Sequence, residues 1–234
     1  MTRQIVLDTE TTGLNPRIGN RIIEIGCVEL INRKLTGNNF HFYLNPERDS
    51  EEGALAVHGL TTAFLSDKPK FQEIAESFLN YVRDAEVVIH NAPFDVGFLN
   101  AELERLGCPN FETYVSKVTD TLVQAKQLHP GKRNSLDALC DRYEISNSHR
   151  KLHGALLDAE LLSDVFLAMS RGQNSLGIEH QAVAVTNDVN ELVVDLVLPS
   201  ILVIPASATE LAQHEDLLRD VGKASSGLCI WSLG

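Results

Sequence analysis

Four carboxylates and one histidine carry the chemistry that can be read in this chain: Asp8, Glu10, Asp95, Asp158 and His153. Asp8 and Glu10 stand in Ile5-Val6-Leu7-Asp8-Thr9-Glu10-Thr11-Thr12-Gly13. The apolar, β-branched run reads as a strand, and Thr-Thr-Gly as the turn that ends it. Residues i and i+2 of a strand point to one face, so these two acids repel each other unless a hard cation lies between them. Oxygen ligands of this kind suit Mg²⁺ or Mn²⁺. Taken alone, Asp-x-Glu fits a solvated strand end as well as a metal site.

Two further acids shift the balance. Glu86-Val87-Val88-Ile89-His90 reads as a second, buried strand, and Asn91-Ala92-Pro93-Phe94-Asp95 opens a helix with Phe94, Phe98 and Leu99 on its apolar side. Pro93 suits a first helical turn, where a missing N–H costs nothing. Asp95 therefore falls just past a strand, where ligand sites of α/β folds gather. A lone acid there could also serve only the helix dipole. Asp158 lies in Leu152-His153-Gly154-Ala155-Leu156-Leu157-Asp158-Ala159, with apolar neighbours on both sides. An unpaired buried carboxylate is costly, so a metal or an arginine partner is expected. With a 100° helical step His153 would stand about 140° from Asp158. It is better placed on the loop leading into the helix, beside Gly154.

Strand patterns fall at about 4–8, 21–31, 39–44, 86–90 and 115–119, and helical patterns at about 71–83, 94–106, 120–128, 135–143 and 154–170. Three strands followed by alternating strands and helices predict an α/β layered domain with a mixed sheet. The composition shifts near Arg171-Gly172, which divides the chain into a domain over 1–172, a linker over 173–190 and an apolar C-terminal segment over 191–234. Residues 209–221 fit an amphipathic helix. A tail of this size is marginal as an independent fold and reads as a segment that orders on a partner.

The 234 residues are 44% hydrophobic and carry a formal net charge of −12. That charge divides equally, −6 over 1–172 and −6 over 173–234. Such a chain will not grip nucleic-acid phosphates strongly by itself. Four cysteines without C-x-x-C spacing, and a strand-like start in place of a secretory leader, lead us to expect a cytoplasmic protein. The longest apolar run, Leu196 to Pro205, is too short to span a membrane.

Asp-x-Glu, then Asn-Ala-x-Phe-Asp, then His-x4-Asp, in this order, resemble the three motifs of the DEDDh 3′→5′ exonucleases. Lys34 to His41, Val57-His58-Gly59, Pro130 to Cys140 and the Cys-Ile-Trp near the end narrow the resemblance. They look like the proofreading exonuclease subunits of bacterial replicative DNA polymerases. The resemblance implies a ribonuclease-H-like exonuclease fold and two divalent metal ions, Mg²⁺ or Mn²⁺. Asp8 would bridge the metals, Glu10 and Asp158 would complete the tighter one, Asp95 would act through a water, and His153 would be the general base. Thr11, Thr12, Gly13, Leu14, His58, Asn91 and Phe94, with Glu10 and Asp158, would meet the terminal nucleotide. Gly53 stands where the family carries an acid, with Glu51 and Glu52 adjacent, and a shifted Glu52 is the expected substitute. Lys132, Arg133, Arg150 and Lys151 flank the third motif and could guide the strand by phosphate contacts. The implied partners are DNA with a single-stranded or frayed 3′ end, the polymerase catalytic subunit, a sliding clamp and a small theta-like accessory subunit. Gln173, Leu176 and Ile178 resemble a clamp-binding peptide, and Trp231 would anchor the polymerase. Two other readings compete: a stand-alone RNA exonuclease of the same fold, and a noncatalytic nucleic-acid-binding adaptor.

Overall fold

The computed structural model describes residues 2–148, 152–170 and 205–225. The chain forms two compact units, Met1–Ile178 and Glu179–Gly234. In the first unit, β1 (Arg3–Thr11) pairs antiparallel with β2 (Ile22–Ile31), whose far side pairs with β3 (Lys34–Leu35) and β4 (Phe40–Tyr43). On its other side β1 pairs parallel with β5 (Glu86–Ile89), which pairs parallel with β6 (Lys117–Asp120). The sheet is therefore mixed, as the sequence pattern predicts.

The alternation of β1 decides which layer meets which residue. Ile5 and Leu7 face a cluster with Phe71, Phe78, Phe98 and Leu99, which lie on α3 (Phe71–Val82) and α4 (Ala92–Arg105). Val6 faces the opposite cluster, with Ala125 of α5 (Thr121–Leu128), Leu139 of α6 (Leu136–Tyr143) and Leu162, Val165 and Phe166 of α7 (Ala155–Met169). Helices thus cover both faces of the sheet. By the same parity Asp8 and Glu10 look toward α7, while Thr9 looks toward α4.

One glycine lets α7 come close enough. Gly26 pairs with Asp8 across β1 and β2. A Cβ on Gly26 would lie 2.2 Å from the backbone of Ala155 and Leu156. The first turn of α7, and Asp158 with it, can approach Asp8 only because that side chain is missing.

α4 is fixed to the sheet by an ion pair. Arg21 donates from Nε and a terminal nitrogen to the two carboxylate oxygens of Glu102, at 2.6 and 2.7 Å, and the Ile22 N–H adds a third donor at 3.3 Å. Glu102 is buried and Arg21 mostly so. Removing one partner of a buried pair leaves the other uncompensated. Glu102→Ala should therefore cost about 2 to 3 kcal/mol, less than the roughly 3 to 5 kcal/mol of a fully buried pair because Arg21 keeps some solvent contact. Urea denaturation measures it, and a loss under about 0.5 kcal/mol would place the pair among ordinary surface bridges.

The expected strands and long helices are present, with β1 extended through Thr11. Two short helices, α1 (Glu52–His58) and α2 (Thr62–Leu65), were not legible. Each buries a single side chain, His58 and Leu65 respectively, so neither shows an apolar stripe.

In the second unit, α8 (Ala208–Ala224) covers the expected amphipathic stretch 209–221. Ser207 accepts from the Glu210 N–H, and Glu210 accepts from the Ser207 N–H, closing a capping box. Leu211, Leu217 and Val221 are exposed on it. Among the described residues, no helix is long and apolar enough to cross a membrane.

Candidate active site

Asp8 and Glu10 from β1, Asp95 from α4, and His153 and Asp158 from the loop before α7 and its first turn line one cavity of about 260 Å³. All five residues singled out by type and spacing are thus brought together. Glu10, His153 and Asp158 each offer a ligand atom within 4.8 Å of the others'. Such a cluster of facing oxygens and one imidazole, with two more carboxylates on the same wall, fits a divalent cation.

Each group is placed by a separate device. Asp95 lies in the first turn of α4 and is buried. Its Oδ1 accepts from the Thr9 N–H at 3.0 Å and the Thr9 hydroxyl at 2.7 Å. One edge of this carboxylate is thereby fixed by β1. The start of α4 is held by Asp120, which accepts from the Asn91 and Ala92 N–H groups while also capping α5. Asp158 follows Gly154, which ends the loop and begins α7. His153 stands outside the helix, as expected, with Nδ1 3.2 Å from Asp158 Oδ2. Its side chain is 43% exposed, against 4% for Asp158.

Burial pushes the Asp95 carboxyl from its ordinary 3.8 up to about 7, against the hydrogen bonds from Thr9. An acid whose pKa is raised by folding destabilises the native state once the unfolded chain would ionise. Without metal, Asp95→Asn should therefore gain stability relative to the unaltered protein as pH rises from about 4 to 7, and no further above that. Divalent cation should narrow this difference by favouring the charged form. Thermal unfolding across pH, in chelator and in Mg²⁺, reads both effects. A difference flat in pH would contradict this environment for Asp95.

A second cavity, of about 420 Å³, shares Thr9, Glu10 and Phe94 with the first. Thr11, Gly13, Leu14, Glu51, Gly53, Ala54, Val57 and His58 complete it. Leu14 is 81% exposed, as a side chain meant to meet a ligand would be. His58 is 3% exposed, with Nδ1 accepting from the Leu60 N–H at 2.9 Å. Its Nε2 is buried and has no hydrogen-bond partner among the described residues. Buried polar atoms are normally satisfied, so this one marks a place for a ligand. Burial also lowers the His58 pKa and favours the neutral ring.

Two expected contacts are not brought to either cavity. Thr12 is fully buried, its N–H donates to Arg21, and its hydroxyl oxygen accepts from the Arg21 N–H. Thr12 supports the turn from below. Asn91 is exposed in a left-handed conformation (φ 68°) at the start of α4, and lies on neither wall. Near the missing acid at Gly53, the residue on the cavity wall is Glu51, not Glu52. Glu51 accepts from the Asn20 side chain at 2.8 Å.

Sequence reasoning missed His90, Ser135, Leu136 and Asp137 on the acidic wall. His90 follows β5 directly, five residues before Asp95, and its Nδ1 lies 2.9 Å from the Thr121 hydroxyl. Burial lowers its pKa. Ser135 caps α6 through the Ala138 N–H, so its motif reads as a helix start. Lys132 and Arg133 are exposed near this wall. Arg150, Lys151, Gln173, Leu176, Ile178 and Trp231 lie outside the described residues.

The family model described as Exonuclease matches residues 5–166, which include every residue of the catalytic wall. DNA polymerase III subunit epsilon of Pasteurella multocida is 51% identical over 98% of this chain and 93% of its own length. The same subunit of Escherichia coli K12 is 48% identical over 99% and 98%. The chain belongs to the DNA polymerase III epsilon subunit family of exonucleases. It is a 3′→5′ exonuclease of bacterial DNA polymerase III that serves proofreading. Its partners are thus DNA and the polymerase core. Among solved structures, Exonuclease X in complex with 5′ overhanging duplex DNA superposes with a TM-score of 0.58 at 25% identity, over 73% of this chain and 92% of that one. The nuclease domain of 3′hExo, a DEDDh family member bound to rAMP, gives 0.63 at 15% identity over the same shares. That likeness places the fold among the DEDDh exonucleases. Family membership brings dependence on divalent metal, which the acidic wall fits.

Proposed function

We propose that Asp8, Glu10, Asp95 and Asp158 hold two divalent ions, Mg²⁺ or Mn²⁺, and that His153 takes the proton from the water that attacks the terminal phosphodiester. The observation that carries this reading is the convergence of these five groups on one cavity from three separate elements. Ions bound there would neutralise charge on the phosphate and raise the acidity of the attacking water. His153 is the most exposed of the three residues in the ligand cluster, so it can turn toward the water without unburying a charge. Imidazole is the side chain most often used for general-base proton abstraction. Asp158, whose Oδ2 lies 3.2 Å from Nδ1, would orient the ring.

The adjoining cavity takes the 3′-terminal nucleotide. Leu14 and Phe94 flank the base, and the buried Nε2 of His58 finds its partner on the sugar or phosphate. Glu51 supplies the acidic contact that Gly53 cannot. Such a cavity admits an unstacked nucleotide, and a mismatch lowers the cost of unstacking. Mismatched 3′ ends should accordingly be cut faster than paired ends, and the ratio should shrink as temperature frays both. Equal rates on the two substrates at all temperatures would count against selection by melting.

Residues 1–172 are the exonuclease domain, 191–234 the polymerase-binding segment, and 173–178 a clamp-binding peptide in the linker. The protein works in the bacterial cytoplasm at the replication fork. Its acidic charge gives little intrinsic DNA affinity, so tethering would hold it at the primer end by effective concentration. A fragment ending at residue 172 should cut single-stranded DNA at the full chain's rate and fail to co-elute with the polymerase catalytic subunit. Trp231→Ala should weaken that co-elution, while changing Gln173 and Leu176 to Ala should affect clamp binding alone. Co-elution of the fragment with polymerase would overturn this division of labour.

A further inference from the structure

The loop that delivers His153 is anchored to the helix that lines the nucleotide cavity. Gly154 begins α7 without a side-chain cap. The two residues before it instead hold the C-terminal end of α1. The His153 N–H donates to the Val57 carbonyl at 3.1 Å. Leu152 lies against Gly59, where an added Cβ would sit 2.7 Å from Leu152 Cδ1. Gly59 is at φ +70° and closes α1 with its N–H on the Leu55 carbonyl at 2.8 Å. Glycine is needed here both for the left-handed turn and for the close approach of Leu152.

Between these two anchors stands His58, which lines the nucleotide cavity. Three consecutive residues therefore serve two sites: Val57 and Gly59 hold the base's loop, and His58 faces the nucleotide. Leu152 is 53% exposed, so burial in the core does not account for it. Its defined contact is the one that sets where the next residue, His153, begins.

We propose that Leu152 is a positioning residue for His153, and that through it the end of α1 couples the nucleotide cavity to the general base. The inference rests on the assignment of His153 as base. An imidazole displaced by about 1 Å loses rate much more than affinity, by up to about a hundredfold. Removing the side chain should disturb the placement of His153 and leave substrate binding nearly unchanged.

Steady-state cleavage of a single-stranded oligonucleotide by the full chain tests this with four variants. Leu152→Ala should lower kcat by about tenfold or more, with KM within about twofold and an unchanged unfolding midpoint. Leu152→Met, which keeps reach and apolar character, should recover most of the rate. In a His153→Ala background, Leu152→Ala should reduce the residual rate by less than about twofold, because the group it positions is gone. A full rate for Leu152→Ala beside a disabled His153→Ala overturns this inference alone. An equal loss in both backgrounds also overturns it, by marking general damage. Near-normal turnover of His153→Ala removes the base assignment, and this inference with it.

Discussion

Asp8→Ala should abolish nucleotide release while the protein still folds. Asp8 lies on the acidic cavity wall and pairs across the sheet with Gly26, the point at which β2 closely approaches the start of α7. It shares a strand face with Glu10, two residues on, so both contribute to one concentration of negative charge. Removing one relieves repulsion in the metal-free protein and weakens cation binding at the same time. Charge stabilisation by metal is worth several kcal/mol in the transition state, so a loss of roughly three or more decades in kcat is expected. Circular dichroism and the unfolding midpoint should stay near those of the unaltered chain. A variant that cuts within about tenfold of the normal rate would show that Asp8 is not a metal ligand.

His153→Ala should lower kcat by on the order of 10²–10⁴-fold, with little change in oligonucleotide affinity. The acidic limb of the pH–rate profile should disappear with it, since the group whose deprotonation creates that limb is gone. His90 makes the experiment discriminating. It lies on the same wall but is half-buried and hydrogen-bonded to Thr121, and its pKa is lowered. If His90→Ala removes the acidic limb and His153→Ala leaves it, the two histidines have been assigned the wrong way round.

The catalytic wall was legible because its chemistry fixes residue type and its elements fix spacing. Asp8 and Glu10 sit on a strand with an apolar face on each side, and Asp158 is embedded in a helix too apolar to tolerate an idle carboxylate. The same logic could not reach His90 or Asp137. One follows a buried strand and the other lies just inside a capped helix, and either position suits a histidine or an aspartate without any ligand. Thr12 was misplaced for a related reason. A Thr-Thr-Gly turn reveals that the chain reverses, not which hydroxyl faces outward. Here Thr11 and Gly13 line the cavity while Thr12 is spent on Arg21. Helix α1 was missed because it buries only His58 and so carries no periodic stripe. Its importance comes from contacts distant in sequence, Val57 with His153 and Gly59 with Leu152, which no local pattern encodes.

Digestion of a 5′-labelled single-stranded oligonucleotide by the full chain, with Mg²⁺ and with excess chelator, tests the account most directly. With metal, products should shorten one nucleotide at a time from the 3′ end. Chelator should stop this, and Mg²⁺ or Mn²⁺ added back should restore it. Continued shortening in excess chelator would contradict the metal-dependent site built from Asp8, Glu10, Asp95 and Asp158.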